Sequence, residues 1–268
     1  MTWSAVLLVT AVVWAVSVIR SVRVRAFVYS LPLPMTLALI TTGHRVDGPQ
    51  LFGVVGLNLF FVTVALTHRR LRWPILLADL AGVAVYVALS AGVLAVPVPF
   101  EAALAGTVAL WALTMVLLRR RAAAAPPPGP AENRRDGLAA PVKLVVIFVG
   151  ALLTGLLGEL LRGMVVTFPY SGVLVAVEAR HQLAEFSRHF ARNSLGLIGF
   201  LAGYHYLQDT SPALALAGGW AAFALVSAAL HLPRRRPAPP AAAQTGPERV
   251  EPRPGRRPLP GPERPAAT

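Results

Sequence analysis

Tyr29-Ser30-Leu31-Pro32-Leu33-Pro34 lies inside an apolar run, 26–43, that is long enough to cross a bilayer. Pro32 and Pro34 have no N–H, and each ring crowds the carbonyl four residues back. A helix through this stretch must kink or open. Thr167-Phe168-Pro169-Tyr170-Ser171-Gly172 repeats the device 137 residues later, with Pro169 in the place of Pro32. Interrupted apolar helices at corresponding places in two halves are the sequence pattern of a membrane carrier.

The rest of the composition agrees with a membrane setting. Of 268 residues, 55% are hydrophobic and only 14% charged, with mean hydropathy +0.60. A soluble domain carries roughly a quarter charged residues. The formal charge of +13 does not point to nucleic acid, because the arginines sit in short clusters between apolar runs and in the C-terminal stretch. There is no cysteine, which excludes disulfides, thiolate metal sites and cysteine nucleophiles. The opening MTWSAVLLVT has no basic region before its apolar run, so it reads as an uncleaved helix with its N-terminus outside.

The expected fold is all-α, a polytopic bundle of about nine transmembrane helices. The spans fall near 3–19, 26–43, 50–67, 73–96, 99–118, 142–161, 163–179, 190–207 and 212–232. Basic residues follow spans one, three, five, seven and nine, while the alternate loops carry few. That bias places the C-terminus in the cytoplasm of a multi-pass cell-membrane protein. The organisation is a first repeat at 1–97, a linking helix at 98–118, a Pro/Ala/Arg cytoplasmic linker at 119–141, a second repeat at 142–232 and a disordered tail at 233–268.

Self-comparison at the offset of 137 also pairs His44 with His181 and His68 with His205. Histidine is rare here, so its coincidence with a helix-breaking proline reads as an internal duplication. Five spans separate equivalent positions, which sets the two four-helix units in opposite senses across the membrane, with span five as the linker.

Gly163 to Ala176, GMVVTFPYSGVLVA, resembles the Gly-x-x-x-x-Phe-Pro helix of the GlpM-like inner-membrane proteins. The first half, RAFVYSLPLPMTLALI, is a weaker match, with Leu31 where phenylalanine would stand. The resemblance implies an integral inner-membrane protein in duplicated form, with a loose link to envelope polysaccharide production, and supplies no catalytic residues. The inverted layout is also similar to the drug/metabolite transporter superfamily, as architecture alone.

Polar groups inside the spans are the candidate functional residues. Asp79, about six residues into span four, is the candidate for proton coupling, against a local pairing with His68 or Arg72. Ser30, Pro32, Pro34, Pro169 and Ser171 mark the two breaks, whose freed backbone and hydroxyls are substrate or gating candidates. Asn58, near the centre of span three, needs a partner across a helix interface or a ligand. Glu159 and Arg162 stand three residues apart on one helix face and are expected to pair. Leu183, Phe186 and Phe190 form the apolar face of an expected interfacial helix at 178–192. Gly196, Gly199 and Gly203 form a small-residue stripe that admits another helix, either of this chain or of a second copy in a homodimer. The histidines lack ligand spacing, so no metal or other cofactor is expected.

These residues imply a transporter or exporter of a small metabolite working by alternating access. The partners are the bilayer and an unidentified small solute, with no nucleic acid. The alternative is an accessory membrane protein supporting envelope polysaccharide or lipid synthesis. Catalytic groups are not clustered, so an enzyme is not expected.

Overall fold

The computed structural model of the chain describes residues 21–123 and 162–232. Spans 3–19 and 142–161, Glu159, the linker from 124 to 141 and the tail 233–268 lie outside the described residues. Within them every element is helical and there is no strand. The helices are α1 (Val22–Tyr29), α2 (Leu33–Thr42), α3 (Gly48–Arg70), α4 (Ile75–Leu94), α5 (Phe100–Ala123), a 3-10 helix η1 (Arg162–Thr167), α6 (Tyr170–Glu178), α7 (Leu183–Leu207) and α8 (Pro212–His231).

Four of these, α3, α4, α5 and α8, are long and apolar enough to cross a membrane. That composition and length define an all-helical membrane protein. Seven spans were expected within the described residues, and three differ for physical reasons. The second and seventh are each split by their proline into two short pieces, α1 with α2 and η1 with α6. The eighth begins earlier than expected, because α7 runs without interruption through the polar stretch from Leu183.

Local chemistry sets the remaining ends. The Gln50 side chain accepts from the Asp47 N–H at 2.8 Å, just before Pro49 in the first turn of α3. Gly43 closes α2 at φ +62°, with its N–H on the Leu39 carbonyl. Ser211 Oγ accepts from the Leu214 N–H at 3.2 Å, and Pro212 opens α8.

The core is built on α3 and α7, which pack on each other and on their own hairpin partners, α4 and α8. The short first pieces are exchanged: α1 packs on α7, while η1 packs on α3. Helix α5 touches both α3 and α7, and the Trp111 indole N–H donates to the Ala191 carbonyl at 2.9 Å. Shifted by 137 residues, positions 33, 70, 75 and 94 land on 170, 207, 212 and 231. Those are the start of α6, the end of α7 and both ends of α8. Ala78 and Ala215 are both fully buried, and Gly82 and Gly219 each lie against a phenylalanine of the preceding helix, Phe60 and Phe200.

Two expectations are corrected by this packing. Leu183, Phe186 and Phe190 do not line an interfacial helix; they are buried in the first two turns of α7. Tyr29, Phe61, Phe186 and Phe190 form one aromatic cluster with centroids 5.0 to 6.2 Å apart. The glycine stripe of α7 is filled by α8 of the same chain. A Cβ on Gly203 would stand 2.6 Å from the Gly218 carbonyl oxygen, and one on Gly196 would stand 2.8 Å from the Phe223 ring. The stripe therefore offers no seam to a second copy.

Charge is divided between the ends of the bundle. Arg69, Arg70 and Arg188 lie together at one end, beside Leu118 of α5. At the other, Arg45 pairs with Asp209, and the Tyr206 hydroxyl donates to Glu101 at 2.8 and 3.0 Å.

Candidate functional site

The two chain breaks have the same local structure. Pro32 (φ −76°, ψ 26°) precedes α2 and Pro169 (φ −79°, ψ 39°) precedes α6, and neither start has a side-chain cap. Ser30 Oγ donates to the Phe27 carbonyl at 2.6 Å, and Thr167 Oγ1 donates to the Met164 carbonyl at 3.1 Å. Both donors and both acceptors are 137 residues apart, so the same hydroxyl closes the last turn before each break. Thr167 was not among the residues singled out from sequence. The signal was present, since Thr167-Phe168-Pro169 matches Ser30-Leu31-Pro32 in having a hydroxyl two places before the proline.

The carbonyl four residues before Pro32, that of Val28, is not left free: it accepts from the Leu31 N–H at 3.1 Å. The Pro32 carbonyl accepts from the Thr36 N–H and hydroxyl, both at 2.8 Å, and the Pro169 carbonyl accepts from the Gly172 and Val173 N–H groups. What the breaks do present is a small cavity between them. Tyr29, Leu31 and Pro34 line it from one side, and Val166, Thr167 and Phe168 from the other. Its volume is about 30 Å³, room for a water or two and far below the roughly 300 Å³ of a metabolite site. The crossing of the breaks is therefore closed to a solute in this conformation. Ser171 stands in the first turn of α6 and Arg162 opens η1. With Glu159 outside the described residues, the expected Glu159–Arg162 pair has no geometry to set beside it.

One polar seat ties the second break to the first half. The Tyr86 hydroxyl of α4 lies 2.9 Å from the Met164 carbonyl and 2.7 Å from Thr167 Oγ1; with the Thr167 proton on the Met164 carbonyl, Tyr86 gives its one proton to Thr167. Tyr86 is fully buried, so this bond replaces one that water would otherwise make. Gly53 of α3 makes the approach possible, because a Cβ there would fall 1.7 Å from Thr167 Oγ1. The first break is held differently, by the Trp220 indole N–H on Thr36 Oγ1 at 3.2 Å and by Tyr29 against Phe190.

Asp79 is 2% exposed, and neither carboxylate oxygen has a hydrogen-bond partner. It shares the buried face of α4 with Ala78, Gly82, Tyr86 and Ser90, two turns from the tyrosine. The local pairing weighed from sequence does not form: the His68 imidazole Nδ1 meets the Trp73 carbonyl at 2.8 Å instead. Ionising a carboxyl in such a place costs several kcal/mol without a counter-charge. Asn58 makes no hydrogen bond across a helix interface. Its Nδ2 donates to the Val54 carbonyl of its own helix at 2.9 Å, and its Oδ1 is buried with no partner.

At the Arg45 end, a polar latch joins the two halves. The Val46 N–H donates to Gln208 Oε1 at 2.8 Å, while Gln208 Nε2 and the His205 ring both reach the Val46 carbonyl. Phe100 of α5 stacks on His205 at 3.5 Å. Hydrogen bonding to Asp209 raises the Arg45 proton affinity above its ordinary value, though both side chains are largely exposed and the pair contributes little. Among the described residues no group of three potential metal ligands exists.

These features define a helical membrane protein with two broken helices that meet at a shared small cavity. Comparison with family models, with curated proteins and with solved structures returned no match.

Proposed function

We propose that the chain is a carrier of a small solute, built as two inverted repeats that alternate access around the crossing of the breaks. The observation that carries this reading is the equivalence of the breaks. Each has a hydroxyl closing the last turn, an uncapped helix start after proline and a first piece seated on the other half. The coincidence of helix bounds at one offset supports the duplication. Divided charge supports an orientation with the Arg69–Arg188 end in the cytoplasm and the Arg45 end outside. In this reading the closed central cavity is an occluded state, and Asp79 exchanges the proton that drives the cycle.

Two measurements test it. The chain has no cysteine, so single-cysteine variants need no background removal. Arg72→Cys and Asp209→Cys stand at equivalent places in the two halves, and an impermeant thiol reagent should label only Asp209→Cys in intact cells. Labelling of both from one side ends the inverted arrangement. Separately, protein in liposomes holding a pH-sensitive dye is exposed to a panel of small metabolites under an imposed pH gradient. Solute-dependent proton movement that Asp79→Asn abolishes, at wild-type insertion, is the expected result. Neither proton nor solute movement for any of the panel favours the accessory role in envelope synthesis.

A further inference from the structure

A much larger cavity lies away from the breaks, between α3, α5 and α7, with a volume of about 710 Å³. Its walls are apolar for most of their length, with Val54, Leu59 and Val62 from α3 and Leu110 and Trp111 from α5. One end is different. Arg69 and Arg70 from the last turn of α3 and Arg188 from α7 converge there, and no carboxylate lines any part of the cavity. Three guanidiniums without a counter-charge form a strong anion site, and two of them extend from a helix C-terminus that already favours cations.

Deeper in, Thr107 of α5 and Asn58 of α3 stand on the lining, each with a buried oxygen that has no hydrogen-bond partner.

We propose that this cavity binds an anionic phospholipid, with its phosphate among Arg69, Arg70 and Arg188 and an acyl chain along the apolar wall. The lipid comes from the leaflet on the arginine side. Twelve residues separate Asn58 from Arg70, about 18 Å along the helix, so the chain and not the headgroup passes the two unpartnered atoms. The site does not depend on solute carriage, since it touches neither break.

Trp111 is a reporter already in place. Purified full-length protein in a neutral detergent is titrated with phosphatidic acid brominated on its acyl chains, and the same titration on Trp111→Phe isolates the quenching of that indole. Saturable Trp111 quenching by brominated phosphatidic acid is expected, with at least about tenfold weaker quenching by brominated phosphatidylcholine. The Arg69→Gln/Arg70→Gln/Arg188→Gln variant, checked for an unchanged unfolding temperature, should lose affinity by about tenfold or more. Glycerol phosphate or inorganic phosphate should not displace the lipid at concentrations where unbrominated phosphatidic acid does. Native mass spectrometry of the wild-type protein supplies a readout that no variant affects: one phosphatidic acid retained, and no phosphatidylcholine. Equal binding of the two lipids, an unmoved triple variant, or displacement by free phosphate alone overturns the proposal.

Discussion

Gly53→Ala tests the closest approach at any described glycine. The added Cβ would lie 1.7 Å from Thr167 Oγ1, 2.7 Å from Thr167 Cβ and 3.1 Å from the Tyr86 hydroxyl. Ordinary contact needs roughly 3.5 Å. Thr167 cannot swing clear, because its hydroxyl is bound to both Met164 and Tyr86 and its backbone belongs to a short 3-10 helix. The whole of η1 must retreat by more than an ångström, which overpacks its far side and pulls Thr167 from Tyr86. Overpacking costs about 1–3 kcal/mol and a buried hydroxyl left unpaired a similar amount, so a loss of roughly 2–4 kcal/mol is expected. The assay is thermal unfolding of the purified protein in detergent, where that loss appears as a fall on the order of 5–10 °C. Thr167→Ala alone should cost less. The double variant should be more stable than the two single effects predict by about 1 kcal/mol, since removing the hydroxyl relieves part of the clash. A Gly53→Ala protein within about 0.5 kcal/mol of wild type, or strict additivity in the double variant, refutes the seat of η1 on α3.

Two further outcomes bear on the same region. Tyr86→Phe removes the hydroxyl's hydrogen bonding to η1 while keeping the ring, so it should lower stability by about 1–2 kcal/mol in the same unfolding assay. No loss would mean that the hydroxyl does not hold the second break. Asp79→Leu should raise the unfolding temperature, because it replaces a buried carboxyl without partners by a side chain of similar size at home in an apolar helix face. A fall instead would show that the carboxyl has a structural partner and no spare free energy for coupling.

Much of the architecture was legible in the sequence because proline and charge act locally. Pro32 and Pro169 interrupt helices wherever they are placed, so both breaks fall within a residue or two of the expected positions. Runs of apolar residues bounded by Arg69-Arg70 or by Trp73-Pro74 likewise set α3 and α4 without reference to their neighbours. What escaped were properties of pairs. Leu183, Phe186 and Phe190 make an amphipathic face in any helix, and only the position of Tyr29 and Phe61 decides that the face meets protein and not headgroups. The stripe of Gly196, Gly199 and Gly203 announces a close neighbour without naming α8. The seat of Tyr86 on Thr167 joins residues 81 apart, and nothing in either local sequence forecasts it.

Where the two halves differ is as informative as where they agree. Position 53 is glycine and its equivalent, 190, is phenylalanine; position 86 is tyrosine and its equivalent, 223, is phenylalanine. The second break is thus held by the Tyr86 hydroxyl of α4 across Gly53 of α3, while the first is held on α7 by Tyr29 tilted against Phe190 and on α8 by the Trp220–Thr36 hydrogen bond. A complete exchange of roles between halves would require Phe190 to admit the approach that Gly53 admits, and its ring fills that space. If the chain alternates access as proposed, the swap is not symmetrical. The polar seat is then the part to release, since parting Tyr86 from η1 breaks hydrogen bonding worth about 1–3 kcal/mol. The aromatic seat would instead have to give up a packed cluster with nothing of equal shape to replace it. Under the proposed carriage, motion confined to η1 and α6 would open the cavity between the breaks from the side of Thr167 and Phe168 while α1 and α2 stay fixed. Asp79 lies on the same face of α4 as Tyr86, so in that scheme the release of this seat would be coupled to the carboxyl without disturbing the first break.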